Sequence, residues 1–171
     1  MVWVNIFAVL ILILSFFGGF KEGAVKQFFN LVVLIIAIPL TGISYWLIAK
    51  VISFLPGENW ENFIGFFIAL ALISVIFHFV SFLPRKITQK IWKRGLVFRL
   101  LGGVLNVVNA SIGMVVFTLV LLAYPIFDWL ERWVAGSGVL ASLVEVFRFV
   151  QAMLPEVFQN AATLVVAGLL I

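Results

Sequence analysis

The chain contains no cysteine, which excludes disulfides, thiolate nucleophiles and thiolate metal sites. Charge is scarce as well: Asp, Glu, Lys and Arg make up 11% of its 171 residues, against ~25% in an ordinary soluble domain. There is a single histidine, His78. Metal ligands at a working spacing, a Gly-x-Ser-x-Gly elbow and a phosphate-cradling glycine loop are all missing. Gly136-Ser137-Gly138 has the small residues of a nucleophile turn, but no histidine stands near it in the sequence and it reads as a linker. These gaps argue against an enzyme. They lead to the expectation of no catalytic residue, no metal ligand and no cofactor.

What the chain does have is apolar side chains, 65% of the total. A globule of this size leaves a large share of its residues at its boundary, so the boundary itself must be greasy, and the solvent it meets is lipid. A helix crossing the hydrocarbon layer needs about 20 mostly apolar residues. Four stretches qualify: 1–20, 28–49, 63–83 and 100–127. The first lacks a basic leading region and a small-x-small cleavage site, so it is read as a retained span and not as a signal peptide. The fold class predicted is all-α, a polytopic membrane protein with four transmembrane helices and one or two amphipathic helices after them. Residues 1–127 form the membrane domain, and residues 128–171 an extracytoplasmic or interfacial helical segment.

Orientation follows from the connecting loops. Lys21 and Lys26 lie in the first, and Lys50 is set against Glu58 and Glu61 in the second. The third carries Arg85, Lys86, Lys90, Lys93, Arg94 and Arg99 with no acid. The first and third loops are therefore expected in the cytoplasm and both termini outside it. Wound as a helix, the linker 84–95 has Arg85, Lys86, Lys90, Lys93 and Arg94 on one side and Ile87, Ile91 and Trp92 on the other. That pattern fits an interfacial helix whose basic face meets anionic headgroups, with Arg99 continuing it, or simply an orientation signal. Nothing else in the chain forms a nucleic-acid surface. In the C-terminal part, Leu140, Leu143, Val144 and Phe147 recur at helical spacing opposite Ser142, Glu145 and Arg148. A short amphipathic helix outside the membrane or lying on it is predicted, closed by Pro155. The apolar tail 157–171 is short for a span and is expected to lie on the surface or insert in part.

Within the spans, three features could carry function. Gly19 and Gly23 have the small-x-x-x-small spacing of close helix contact, or the glycines of a simple turn. Pro39 removes a backbone donor from the second span, which kinks it or opens a solute site. His78 is an ionisable group near the end of the third span, a functional candidate or an imidazole that reaches the headgroups or a neighbouring helix. In the fourth span, Gly102, Asn106, Asn109, Ala110 and Gly113 share one face that either packs against another helix or lines a wet path.

The order of these pieces is similar to that of a known family. Gly19, Phe20, Lys21 and Gly23 after the first span, and Gly95, Arg99 and Gly102 leading into the fourth, resemble the motifs of the colicin V production proteins. The resemblance runs from residue 1 to about 150. The chain departs from it at Asn5 and at Phe98, where the family often has acids. The resemblance implies a small protein of the bacterial inner membrane, linked to production or export of a peptide toxin and to envelope function, with no defined reaction. Two readings follow. In one, the protein is an accessory that packs against itself or a membrane-complex partner in a bilayer with anionic headgroups. In the other it is a small channel or transporter built around Pro39, His78, Asn106 and Asn109.

Overall fold

The computed structural model describes residues 2–91 and 95–167, the side chains of 83–91 and 164–167 excepted. Four long helices come first: α1 (Val2–Glu22), α2 (Ala24–Val51), α3 (Glu58–Ile91) and α4 (Leu96–Ala123). Each holds a stretch long and apolar enough to cross a membrane, with mean hydropathy of 2.2 to 2.6. No strand occurs among the described residues. The protein is an all-α, multi-pass membrane protein. α3 begins before the expected residue 63 and its backbone stays helical to Ile91, so the third span and the first part of the basic linker are one helix. The side chains of Arg85, Lys86 and Lys90 lie outside the described residues, as do Lys93 and Arg94 altogether. α2 runs unbroken through Pro39.

Helices in lipid have little water to expel on meeting, so they are held by close contact and by hydrogen bonds. α1 and α4 pack antiparallel at a pair of glycines. A Cβ placed on Gly19 would fall 2.2 Å from the Gly102 carbonyl oxygen, and one on Gly102 would fall 2.5 Å from that of Gly19. No side chain fits either place. α2 and α3 form a second antiparallel pair, where Gly65 lies against the Ala49 backbone. α2 and α4 run parallel and join the two pairs, whereas α3 scarcely meets α4. The turn from α1 to α2 is the single residue Gly23, at φ 87°, a conformation that side chains disfavour. This turn and the start of α4 mark what is called here the basic end of the bundle, with Lys21, Lys26 and Arg99.

At the far end the chain folds back on itself through α5 (Asp128–Ala135), α6 (Gly138–Val146), α7 (Arg148–Ala152) and α8 (Glu156–Ala167). Val144, Val150 and Phe158 are fully buried in one core with Ile38, Phe66 and Leu119 of the spans. Pro155 sits on Gly42, where a Cβ would meet its ring at 2.7 Å. The apolar face of the helix expected outside the membrane or lying on it packs on the spans: Leu140 and Val144 are buried there, and the helix breaks at Phe147. The tail, expected on the surface or partly inserted, lies on α4 in its described part, with Phe158, Ala161 and Ala162 buried. Residues 168–171 lie outside the described residues. The physical reason is density. A fixed cleft of side chains offers Phe158 more simultaneous contacts than mobile acyl tails do.

Asn5, the one amide of α1, ties this segment down. Its Oδ1 accepts from Ser137 Oγ at 2.6 Å and from Val139 N at 3.3 Å, while Ser137 Oγ accepts from Leu140 N at 3.3 Å. The exposed donors that begin any helix are met at α6 by its own N-cap serine and by the first span. Ser137 is a cap, with 1% of its surface exposed.

Candidate functional site

Toward the basic end polar side chains of the spans gather, and no described C-terminal side chain lies among them. Gln27 and Asn30 lie three residues apart on α2, Asn106 and Asn109 three apart on α4, and Ser74 and His78 four apart on α3. Each spacing puts both members on one helix face. Asn30, Ser74, His78, Asn106 and Asn109, with Val33 and Leu34, line a cavity of about 250 Å³. It exists because α3 and α4 stay apart in this half of the bundle.

The amides are wired to one another and to the basic end. Gln27, 1% exposed, donates from Nε2 to Glu22 Oε2 at 2.6 Å, and Glu22 is also ion-paired with Lys26. Gln27 Oε1 accepts from Asn30 Nδ2 at 3.3 Å and from Asn109 Nδ2 at 3.2 Å. Asn109 Nδ2 also lies 3.1 Å from the Gln27 backbone carbonyl, to which it donates. Asn106 Nδ2 points the other way and donates to the Ser15 carbonyl of α1 at 2.6 Å. One acceptor is left over: Asn109 Oδ1 is buried with no hydrogen-bond partner. An orphaned acceptor of this kind costs about 1–3 kcal/mol, and a donor that entered the cavity would recover it.

Beyond this cavity the α2–α4 seam turns apolar and aromatic. Tyr45, Phe66, Tyr124 and Phe158 pack ring to ring with centroids 5.3–6.1 Å apart. The two tyrosine hydroxyls share a hydrogen bond of 2.6 Å. Thr41 and Thr118, both fully buried, carry hydroxyls without partners among the described residues. The site thus offers carboxamides, one hydroxyl and one imidazole. Such groups can hold a small polar solute or relay a proton. No group of three metal-ligating side chains occurs among the described residues.

The residues singled out in the sequence fall into separate places. Gly19, Gly23 and Gly102 come together, with Gly23 Cα 2.8 Å from where a Gly102 Cβ would be. Gly103 belongs with them through the ring of Phe16. His78, Asn106 and Asn109 meet at the cavity. Pro39 lies farther along α2 and does not line it. Gly113 is exposed, with nothing within 4 Å of a Cβ there, so it leaves the face it shares by spacing with Gly102. Arg99 stands at the basic end, its guanidinium 6.0 Å from the Phe20 ring centroid. Gln27, Asn30 and Ser74 were missing from the sequence reading. The signal that could have found the first two is their i, i+3 spacing on α2, which repeats that of Asn106 and Asn109. A family model described as Colicin V production protein matches residues 4–148. No curated protein and no solved structure matches the chain.

Proposed function

The chain belongs to the colicin V production protein family, and from that membership we propose that it is an accessory membrane protein in the production or export of a peptide toxin and in envelope function. The family match over residues 4–148 carries this reading. The packing supports it in one respect. The glycine and amide faces of α1 and α4 are used inside the chain, so association with a second copy or a membrane complex falls to the outward surfaces. On α1 those include Trp3, Phe7, Leu14 and Phe17, each more than half exposed. The protein works in the bacterial inner membrane, with the basic end in the cytoplasm and both termini outside. Deleting it from a toxin-producing host should lower exported toxin while intracellular toxin persists; unchanged export would remove the proposal. Reporter tags on the two termini should both signal from outside the cytoplasm.

A second reading, passage of a small polar solute or ion, is favoured by the cavity and by the unsatisfied Asn109 Oδ1. It requires that cysteine at position 106 or 109 react with a water-soluble thiol reagent added to one side of the membrane. Protection of both positions from both sides ends that reading.

A further inference from the structure

Two cavities at the basic end adjoin each other and differ in chemistry. The first, about 540 Å³, lies between the starts of α2 and α4 and is lined by apolar residues, among them Val25, Phe28 and Phe29 of α2 and Phe98, Leu101 and Val104 of α4. The second, about 140 Å³, is lined by Lys21, Glu22, Gly23, Phe98 and Arg99. Phe98 borders both, and Gly23 of the small cavity is bonded to Ala24 of the large one. The carboxylate in the small cavity is already engaged, paired with Lys26 and accepting from Gln27. The charge it presents to a newcomer is therefore that of Lys21 and Arg99. An apolar cavity adjoining a small cationic one has the polarity profile of a molecule with an apolar tail and an anionic head. It also accounts for the Phe98–Arg99 pair, whose ring and guanidinium border the two compartments.

We propose that this pair of cavities is a binding site for a single anionic phospholipid of the leaflet at the basic end, with the phosphodiester held by Lys21 and Arg99 and an acyl chain in the groove between Phe28, Phe29 and Leu101. The guanidinium and the ammonium supply charge-assisted hydrogen bonds to phosphate oxygens, and the groove supplies contact along the chain. A zwitterionic lipid would fill the groove equally well but would bring its own ammonium into the cationic cavity. Anionic lipids are accordingly preferred over zwitterionic ones with the same tails.

The test uses the full chain purified in mild detergent and offered phosphatidylglycerol or phosphatidylcholine of identical acyl chains, with bound lipid counted by native mass spectrometry. Wild type should retain one phosphatidylglycerol under conditions that strip phosphatidylcholine. The double variant Lys21→Gln/Arg99→Gln should lose that preference, with phosphatidylglycerol retention falling at least about tenfold, since each basic side chain at a lipid surface contributes on that scale. Val104→Trp, which fills the groove from an exposed position, should lower retention of both lipids even if the charge variant fails to fold. Lys50→Gln at the far end should change nothing. Equal retention of the two lipids by wild type, undiminished phosphatidylglycerol on the double variant, or an equal loss in Lys50→Gln would each overturn the proposal. So would displacement of the lipid by inorganic phosphate alone, which would reduce the site to one for a free anion.

Discussion

The two halves of this bundle are held by opposite means. In the far half, large side chains fill the space between the spans, and many of them arrive from the C-terminal segment: Val144, Val150, Leu154 and Phe158 join Ile38, Phe66 and Leu119. In the basic half no described C-terminal side chain lines the cavities. There the helices either touch backbone to backbone, as α1 and α4 do at Gly19 and Gly102, or stand apart and leave cavities lined by amides or by apolar chains. In lipid, a stable contact needs either very small residues or very well-fitted large ones. Fitted large side chains dominate the far half, where Gly65 also lies against the Ala49 backbone, and small residues dominate the α1–α4 contact of the basic half.

The largest expected effect breaks the far half. Phe158→Ala empties a site where the ring touches Tyr45, Phe66 and Tyr124, and should destabilise by ~3–5 kcal/mol in detergent-phase unfolding followed by circular dichroism. Gly102→Val attacks the basic half instead. Its branched side chain meets the Gly19 carbonyl and the Gly23 backbone, which cannot move aside as a side-chain tip could, so ~2–3 kcal/mol is expected in the same assay. A cross-link between cysteines placed at 15 and 106 should also weaken in this variant, because Asn106 no longer reaches Ser15. Asn109→Ala should cost only about 1 kcal/mol, since it removes the donor to Gln27 and with it the unsatisfied Oδ1. Smallest of all is Gly113→Ala, where the added methyl meets open space. A gain of up to about 1 kcal/mol from helix propensity is expected, and a loss comparable to that of Gly102→Val would mean that position 113 faces a packed neighbour after all.

How far this division could be read from the sequence varies with the residue. The spans were legible because hydropathy over about 20 residues is a one-dimensional signal, and α1 and α2 extend within a few residues of the expected limits. Gly19 and Gly102 were legible as packing candidates because close approach of backbones demands their absence of side chain. Which helix each would meet was not, and Gly113, on the same face by spacing, meets none. The cavity was half legible. Asn106, Asn109 and His78 stand out as polar groups within apolar runs, while Gln27 and Asn30, near the start of the second span, carry no signal of their own beyond their spacing. The C-terminal segment was the least legible part. Its amphipathic pattern is identical whether the apolar face meets lipid or protein, and the choice depends on a cleft formed jointly by residues of α2, α3 and α4.

The bond between Asn5 and Ser137 has a consequence for how the protein is made. These partners are 132 residues apart, and at a synthesis rate of ~5–20 residues per second the first span waits on the order of ten seconds for its mate. Throughout that interval the carboxamide has no native acceptor or donor, and a membrane-embedded protease or insertion chaperone could recognise it. Assembly of this bundle thus needs the start of α6 in place before Asn5 has both of its partners.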